Sequence, residues 1–142
     1  HHFHKLLNKQ ANQFQEILDT QMDNYLELAK VEEPMKKTYT NYPKKSMGKF
    51  QLSFYTPHEL GKPYEQLRTA TRTKPKEGRT IAVDPNVIPY GTLVYIEGFG
   101  YRIAEDCGGA IKGNRIDIFM MDYNKARSLG TPYANETIIG RK

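Results

Sequence analysis

The chain has no tryptophan and one cysteine, Cys107, in 142 residues. A lone cysteine excludes an internal disulfide framework and a cysteine-rich zinc site. Packing must therefore hold the fold. Histidine is nearly as scarce: His1, His2, His4 and His58 are the full set. The first three read as a tag, or as the stub left when an export segment is removed, and not as metal ligands. Any Ser-His-Asp or Cys-His site would then depend on His58 alone. No apolar run approaches the roughly 20 residues that cross a bilayer, so no transmembrane helix is expected. Gly-x-x-x-x-Gly-Lys-Ser is absent, and no Gly-x-Gly-x-x-Gly follows a strand-like run. The common nucleotide-binding signatures are thereby removed.

What is present suits one globular domain. Hydrophobic residues make up 38% and charged residues 26%, outside the range of a disordered chain. The net charge is +5, and it is unevenly placed. Up to Arg79 there are 14 Lys and Arg against 9 Asp and Glu, and the remainder holds 7 of each. Such a surface favours anionic partners: nucleic acid, anionic lipid or an acidic wall polymer. A solvated lysine-rich face is the plainer alternative.

Residues 4–30 predict an amphipathic helix. Leu7, Ala11, Phe14, Leu18, Tyr25 and Leu28 recur at helical spacing, with Ile17 and Met22 widening the stripe. Residues 31–48, with Pro34, Pro43 and Gly48, predict a linker. From Lys49 onward the signals are those of short strands. Phe50, Leu52 and Phe54 alternate with Gln51, Ser53 and Tyr55. Further strands are expected at Thr80–Val83, Thr92–Glu97, Tyr101–Glu105, Arg115–Met120 and Glu136–Ile139. A helical turn is expected at Tyr64–Leu67 and a short helix at Asn124–Leu129. Six short strands in a domain spanning 49–142 suggest a small barrel.

The densest chemistry runs from Ala104 to Asp117, where Asp106 and Asp117 flank a loop with three glycines. Strand alternation sets Asp117 opposite Ile116, Ile118 and Met120, on one face with Arg115 and Phe119. A buried aspartate in a strand costs several kcal/mol unless it is paired or faces a groove. If the flanking strands are neighbours, the two carboxylates converge. One of them then keeps its proton to a higher pH, as a general acid near neutrality requires. Asp106 is also placed to cap a turn before Cys-Gly-Gly, and Asp84 before Pro85 to form an Asx-turn. Asp106-Cys107-Gly108 lacks the apolar flanks and the second copy of an aspartic protease motif. Cys107 has no evident base to make it a nucleophile. The ten tyrosines include some suited to stacking on sugar rings at a groove.

Two stretches, Thr80-Ile-Ala-Val-Asp-Pro-Asn-Val-Ile-Pro-Tyr-Gly-Thr92 and Tyr101 to Phe119, closely resemble the 3D domain, named for three aspartates. Here these are Asp84, Asp106 and Asp117. The resemblance runs from about Lys49 to Arg141. The family is related to the MltA-type lytic transglycosylases, and its small secreted forms occur in spore-forming Gram-positive bacteria. It implies a mainly β fold, a six-stranded double-psi β-barrel preceded here by the N-terminal helix. It also implies cleavage of the MurNAc–GlcNAc β-1,4 bond of peptidoglycan, without cofactor or metal, by a protein secreted to the cell wall.

By that resemblance Asp117 matches the catalytic acid, Asp106 the neighbouring carboxylate and Asp84 the first of the three. Tyr55 and Thr56 match the end of the first barrel strand beside the groove. Thr69, Gly108, Gly109 and Lys112 are the further candidates for substrate contact. Peptidoglycan glycan strands are the implied partner, with no nucleic acid and no membrane insertion. A homodimer through the 4–30 helix is the expected assembly, against a helix folded back on its own barrel. A glycan hydrolase on the same barrel and a non-catalytic wall-binding module stay open as alternatives. The chain departs from the family at Cys107, where threonine is usual, and at Thr69-Ala70-Thr71-Arg72, where Thr-Ala-Ser-Gly is common.

Overall fold

A computed structural model describes residues 2–31 and 44–140, which fall into two units divided between Asn41 and Tyr42. The first unit is the helix α1, His2–Leu28. Among its described side chains Leu18, Met22 and Leu26 are buried, as is Ala29 just past its end, at steps of four, four and three. This stripe differs from the expected one. Leu28 is 78% and Ile17 56% exposed, while Leu26 and Ala29 are buried in their place. The side chains of Leu7, Ala11 and Phe14 lie outside the described residues. The helix stops through its own backbone, before Pro34. Lys30 takes φ 57°, its N–H bonds Glu27 O, and Val31 N–H bonds Leu26 O. That is the Schellman pattern with lysine in the glycine position.

The second unit is mainly β. Its strands are β1 (Lys44–Ser46), β2 (Phe50–Tyr55), β3 (Thr80–Val83), β4 (Leu93–Ile96), β5 (Gly100–Asp106), β6 (Arg115–Phe119), β7 (Tyr133–Ala134) and β8 (Thr137–Gly140). They form one eight-stranded sheet in the order β1-β8-β4-β5-β3-β6-β2-β7. The pairs β2–β6 and β3–β5 are parallel, and the rest are antiparallel. The ladder is open, with β1 and β7 at its two ends, and so differs from the expected closed six-stranded barrel. The two extra strands explain the count. β1 is a polar three-residue edge and β7 has two residues, so neither carries a hydrophobic alternation; each exists by backbone pairing.

One face of the curled sheet carries the core. Phe50, Leu52, Ile81, Val83, Val94, Ile96, Ala104, Ile116, Ile118 and Ile139 pack there with Ile88 and Ala134. The alternating residues of β2, β3 and β6 therefore point the other way, where Tyr55, Ala82 and Phe119 form a second, smaller cluster with Tyr64. Two short helices flank this side in sequence. The helix α2 is Pro57–Leu60, closed by Gly61 at φ 68°; a 3-10 turn follows at Tyr64–Gln66. The helix α3, Tyr123–Leu129, is N-capped by Asp122, whose side chain accepts from Lys125 N–H at 3.1 Å.

Candidate active site

The strand register builds the site. Ser53 of β2 pairs with Asp117 of β6, Asp117 pairs with Ala82 of β3, and Ala82 pairs with Asp106 of β5. These four residues form one row across four strands, on the face away from the main core. The strands β5 and β6 are thus not neighbours, which corrects the adjacency considered from sequence. β3 lies between them, so the two carboxylates start about 10 Å apart at the backbone. A register shift between Ile81 and Ala82 brings Asp106, in place of Glu105, opposite Ala82. Because the residue between is alanine, nothing bulky stands between the carboxylates.

Asp117 has the environment of an acid. Its Oδ1 accepts a hydrogen bond from Ser53 Oγ at 3.0 Å. Its Oδ2 has no hydrogen-bond partner among the described residues. Burial is the main cause that raises its pKa, from the ordinary 3.8 to about 6. The Ser53 hydrogen bond opposes this, Glu59 of α2 adds to it, Arg115 opposes it, and Asp106 contributes least. Asp106 raises the pKa of Asp117, as expected, but it is the smallest of the causes. Desolvation dominates, because two strand spacings weaken the carboxylate–carboxylate repulsion.

Asp106 is an anchored acceptor. Its Oδ1 receives Ala70 N–H at 3.0 Å and Cys107 N–H at 2.9 Å, and its Oδ2 receives Tyr55 O–H at 3.2 Å. Tyr55 reaches Asp106 from β2 with its ring set edge-on to Phe119 at 5.3 Å. Burial first, and then the charge of Asp106, push the Tyr55 hydroxyl far above its ordinary range. It stays a hydrogen-bond donor at any working pH. Cys107 orients Asp106 through its backbone, so the replacement of threonine costs that contact nothing. The neighbouring Cys107 thiol raises the pKa of the Tyr90 hydroxyl to about 12.

Asp84 sits apart from the row. Its Oδ1 accepts from Asn86 N–H and its Oδ2 from Gly113 N–H, each at 3.0 Å. These bonds, with a smaller pull from Lys112, hold its carboxyl below the ordinary range. Asp84 thus forms the Asx-turn expected of it and also ties the 107–113 loop to the end of β3. Gly113 at φ 67° gives that loop its turn.

The other candidates divide. Thr56 is fully buried beside Tyr55, and its hydroxyl has no partner among the described residues. Thr69 turns its hydroxyl to Thr71 and Thr73, at 3.1 and 2.7 Å, and so shapes its own loop. In that loop Arg72 takes φ 70°, the conformation a glycine adopts freely, so the turn survives the arginine. Gly108 lies against Ile111, where a Cβ would come to 3.2 Å. Gly109 and Lys112 are exposed and bond neither carboxylate. His58 stacks on Tyr123 at 4.0 Å, away from any triad. Sequence reasoning missed Ser53, Glu59 and the half-buried Arg79–Glu105 pair, whose Nε–Oε1 distance is 3.0 Å. The parity of β2 already placed Ser53 on the face of Tyr55. Among the described residues no group of three or more His, Cys, Asp or Glu could hold a metal ion, and no helix is long and apolar enough to cross a membrane.

With this geometry in place, comparison with known proteins is decisive for one segment. The 3D domain family matches residues 79–139, which include all three aspartates. Residues 79–139 are a 3D domain. β2, which brings Ser53 and Tyr55, lies outside the matched stretch. The cell wall-binding protein YocH of Bacillus subtilis is 53% identical over 66 residues, covering 46% of this chain and 23% of YocH. YabE of the same organism, named for cell wall shaping, is 56% identical over 52 residues, covering 37% of this chain and 13% of YabE. The shared segment is thus a quarter or less of these relatives. Among solved structures, MltA of E. coli is 22% identical with a TM-score of 0.43, over 54% of this chain and 27% of MltA.

Proposed function

We propose that this chain is a lytic transglycosylase of peptidoglycan, with Asp117 as its single acid and base. The observation that carries this reading is Asp117 itself. It is a strand aspartate with a pKa near 6, one oxygen held by Ser53 and the other unengaged. The 3D domain match and the relatives named for the cell wall supply the substrate class.

The chemistry then needs two protons moved in turn through one carboxyl group. Protonated Asp117 gives its proton to the oxygen of the MurNAc–GlcNAc β-1,4 bond as that bond breaks. Positive charge develops at C1 of the muramyl sugar. The Asp117 carboxylate next takes the proton from the C6 hydroxyl of the same sugar, and that oxygen attacks C1. A 1,6-anhydro ring closes and Asp117 is again protonated. The tethered hydroxyl gains from its high effective concentration, so no water is needed. Asp106, fixed by three donors, faces the developing positive charge as a carboxylate. Tyr55 and Ala70 position it, and Asp84 holds the loop that borders it. Thr56, fully buried behind Tyr55, supports the groove from within and does not reach a substrate. The place of action is the wall, outside the cytoplasmic membrane.

A second reading, a wall-binding module without turnover, draws on the name of YocH. Release of soluble muropeptides from purified cell walls separates the two. Release by the wild type and none by Asp117→Asn supports the enzyme; tight binding with no release by either supports the module.

A further inference from the structure

Beside the aspartate row the loop 64–79 borders a wide, open cleft of about 480 Å³, lined by Tyr64, Thr73, Lys74, Lys76 and Arg79. None of these is an aspartate of the site, and the mechanism above uses none of them. Yet the cleft shares a wall with the site. Tyr64 stacks on Phe119 with centroids 6.2 Å apart and planes 18° apart, and Phe119 meets Tyr55. Thr73 is bonded to Thr69, next to Ala70, whose N–H holds Asp106.

The cleft is built in advance of any ligand. Tyr64 O–H donates to Pro75 O at 2.7 Å, which fixes the ring. Lys74 Nζ lies 4.4 Å from the centre of that ring and 2.5 Å from Glu65 Oε2. Arg79 donates from Nε to Glu105 Oε1 at 3.0 Å and from Nη2 to Lys74 O at 2.9 Å. Glu105 is held in turn by Thr80 Oγ1 at 2.7 Å. Three cations thus line the space, and two carboxylates answer them: Glu65 at Lys74 and Glu105 at Arg79. Lys76 has no side-chain partner among the described residues. One positive charge is left over, beside a fixed guanidinium whose planar donors suit a carboxylate.

We propose that this cleft is a subsite for a carboxylate carried by the substrate, such as those on the peptide stems of the wall glycan. The inference rests on the wall-glycan reading for its substrate class. A single surplus charge matches a carboxylate better than a phosphate dianion. The subsite would let the protein tell a peptide-bearing strand from a bare one, at a position separate from the bond that breaks.

Binding in the full-length chain tests this, on an Asp117→Asn background so that probes are not consumed. The probes are a peptide-bearing GlcNAc–MurNAc muropeptide, the same compound with its carboxyls capped as amides, and chitotetraose. Capping is expected to weaken binding several-fold. Lys76→Gln should weaken the uncapped probe about threefold, the scale of one partly exposed ion pair, and leave chitotetraose unchanged. Lys74→Gln combined with Lys76→Gln should remove most of the difference between capped and uncapped probes. Equal affinity for both probes overturns the proposal, as does equal weakening of all three by Lys76→Gln. Displacement of the uncapped probe by inorganic phosphate at lower concentration than by acetate overturns the carboxylate assignment. If the chain binds walls but does not cleave them, the catalytic reading fails while this binding test still gives its answer.

Discussion

Replacing Asp117 by asparagine should stabilise the protein at neutral pH while ending its turnover. Folding raises the Asp117 pKa from 3.8 to about 6. An acid with a raised folded pKa carries no penalty well below its unfolded pKa. The penalty grows as pH climbs through the interval between the two values, and levels off above the folded one. A shift of this size corresponds to about 3 kcal/mol at pH 8, and to about 0.5 kcal/mol at pH 4, where the unfolded chain is only partly ionised. Asparagine is nearly isosteric, stays neutral, and still accepts from Ser53. The gain of Asp117→Asn over wild type should therefore increase by about 2.5 kcal/mol between pH 4 and pH 8. Urea unfolding of both proteins at several pH values measures it. Taking the difference cancels the titration of groups that do not interact with Asp117, including Asp84, whose lowered pKa works in the opposite direction. A gain that does not change with pH, or a variant less stable than wild type at pH 8, would refute burial as the source of the acid.

Tyr55→Phe removes one donor from Asp106 and should cost about 1 kcal/mol in unfolding free energy, with a fall in turnover larger than any fall in wall binding. Equal losses in both would make Tyr55 a binding residue only. Arg72→Gly relieves a left-handed arginine and should raise stability by about 0.5 kcal/mol, the strain removed less the entropy of glycine; a lower melting temperature would contradict it. Ser53→Ala takes away the bond that lowers the Asp117 pKa, so the basic limb of the pH–rate profile should move upward. No movement would detach Ser53 from the acid. Leu6, Ile17 and Leu28 are exposed at steps of eleven residues, along one line of α1. Light scattering of the full chain should give a dimer; a monomer at tens of micromolar would end the expectation of self-association.

Much of this arrangement was legible in the sequence because alternation survives folding. The parity of Phe50 to Tyr55 and of Arg115 to Phe119 already separated the core face from the face of Ser53, Tyr55 and Asp117. The boundaries of β3 follow from Thr80 to Val83 between Gly78-Arg79 and Asp84-Pro85. Strand order was not legible. Nothing in residues 101–119 says that β3 inserts between β5 and β6, since that pairing is long-range and made by backbone groups. The cause of the Asp117 pKa was hidden for the same reason: desolvation depends on what covers the residue, not on its neighbours in sequence. β1 and β7 escaped because edge pairing leaves no hydrophobic signature. The stripe of α1 differs by one position near its end, where Leu26 and Ala29 are buried in place of Tyr25 and Leu28.

The account turns on whether the muramyl C6 hydroxyl or water captures C1. Digestion of purified cell wall in heavy-oxygen water, followed by mass spectrometry of the soluble products, reads this directly. The account predicts 1,6-anhydromuramyl ends that carry no heavy oxygen, formed by wild type and not by Asp117→Asn. Reducing muramyl ends labelled with heavy oxygen would make the protein a hydrolase and contradict it.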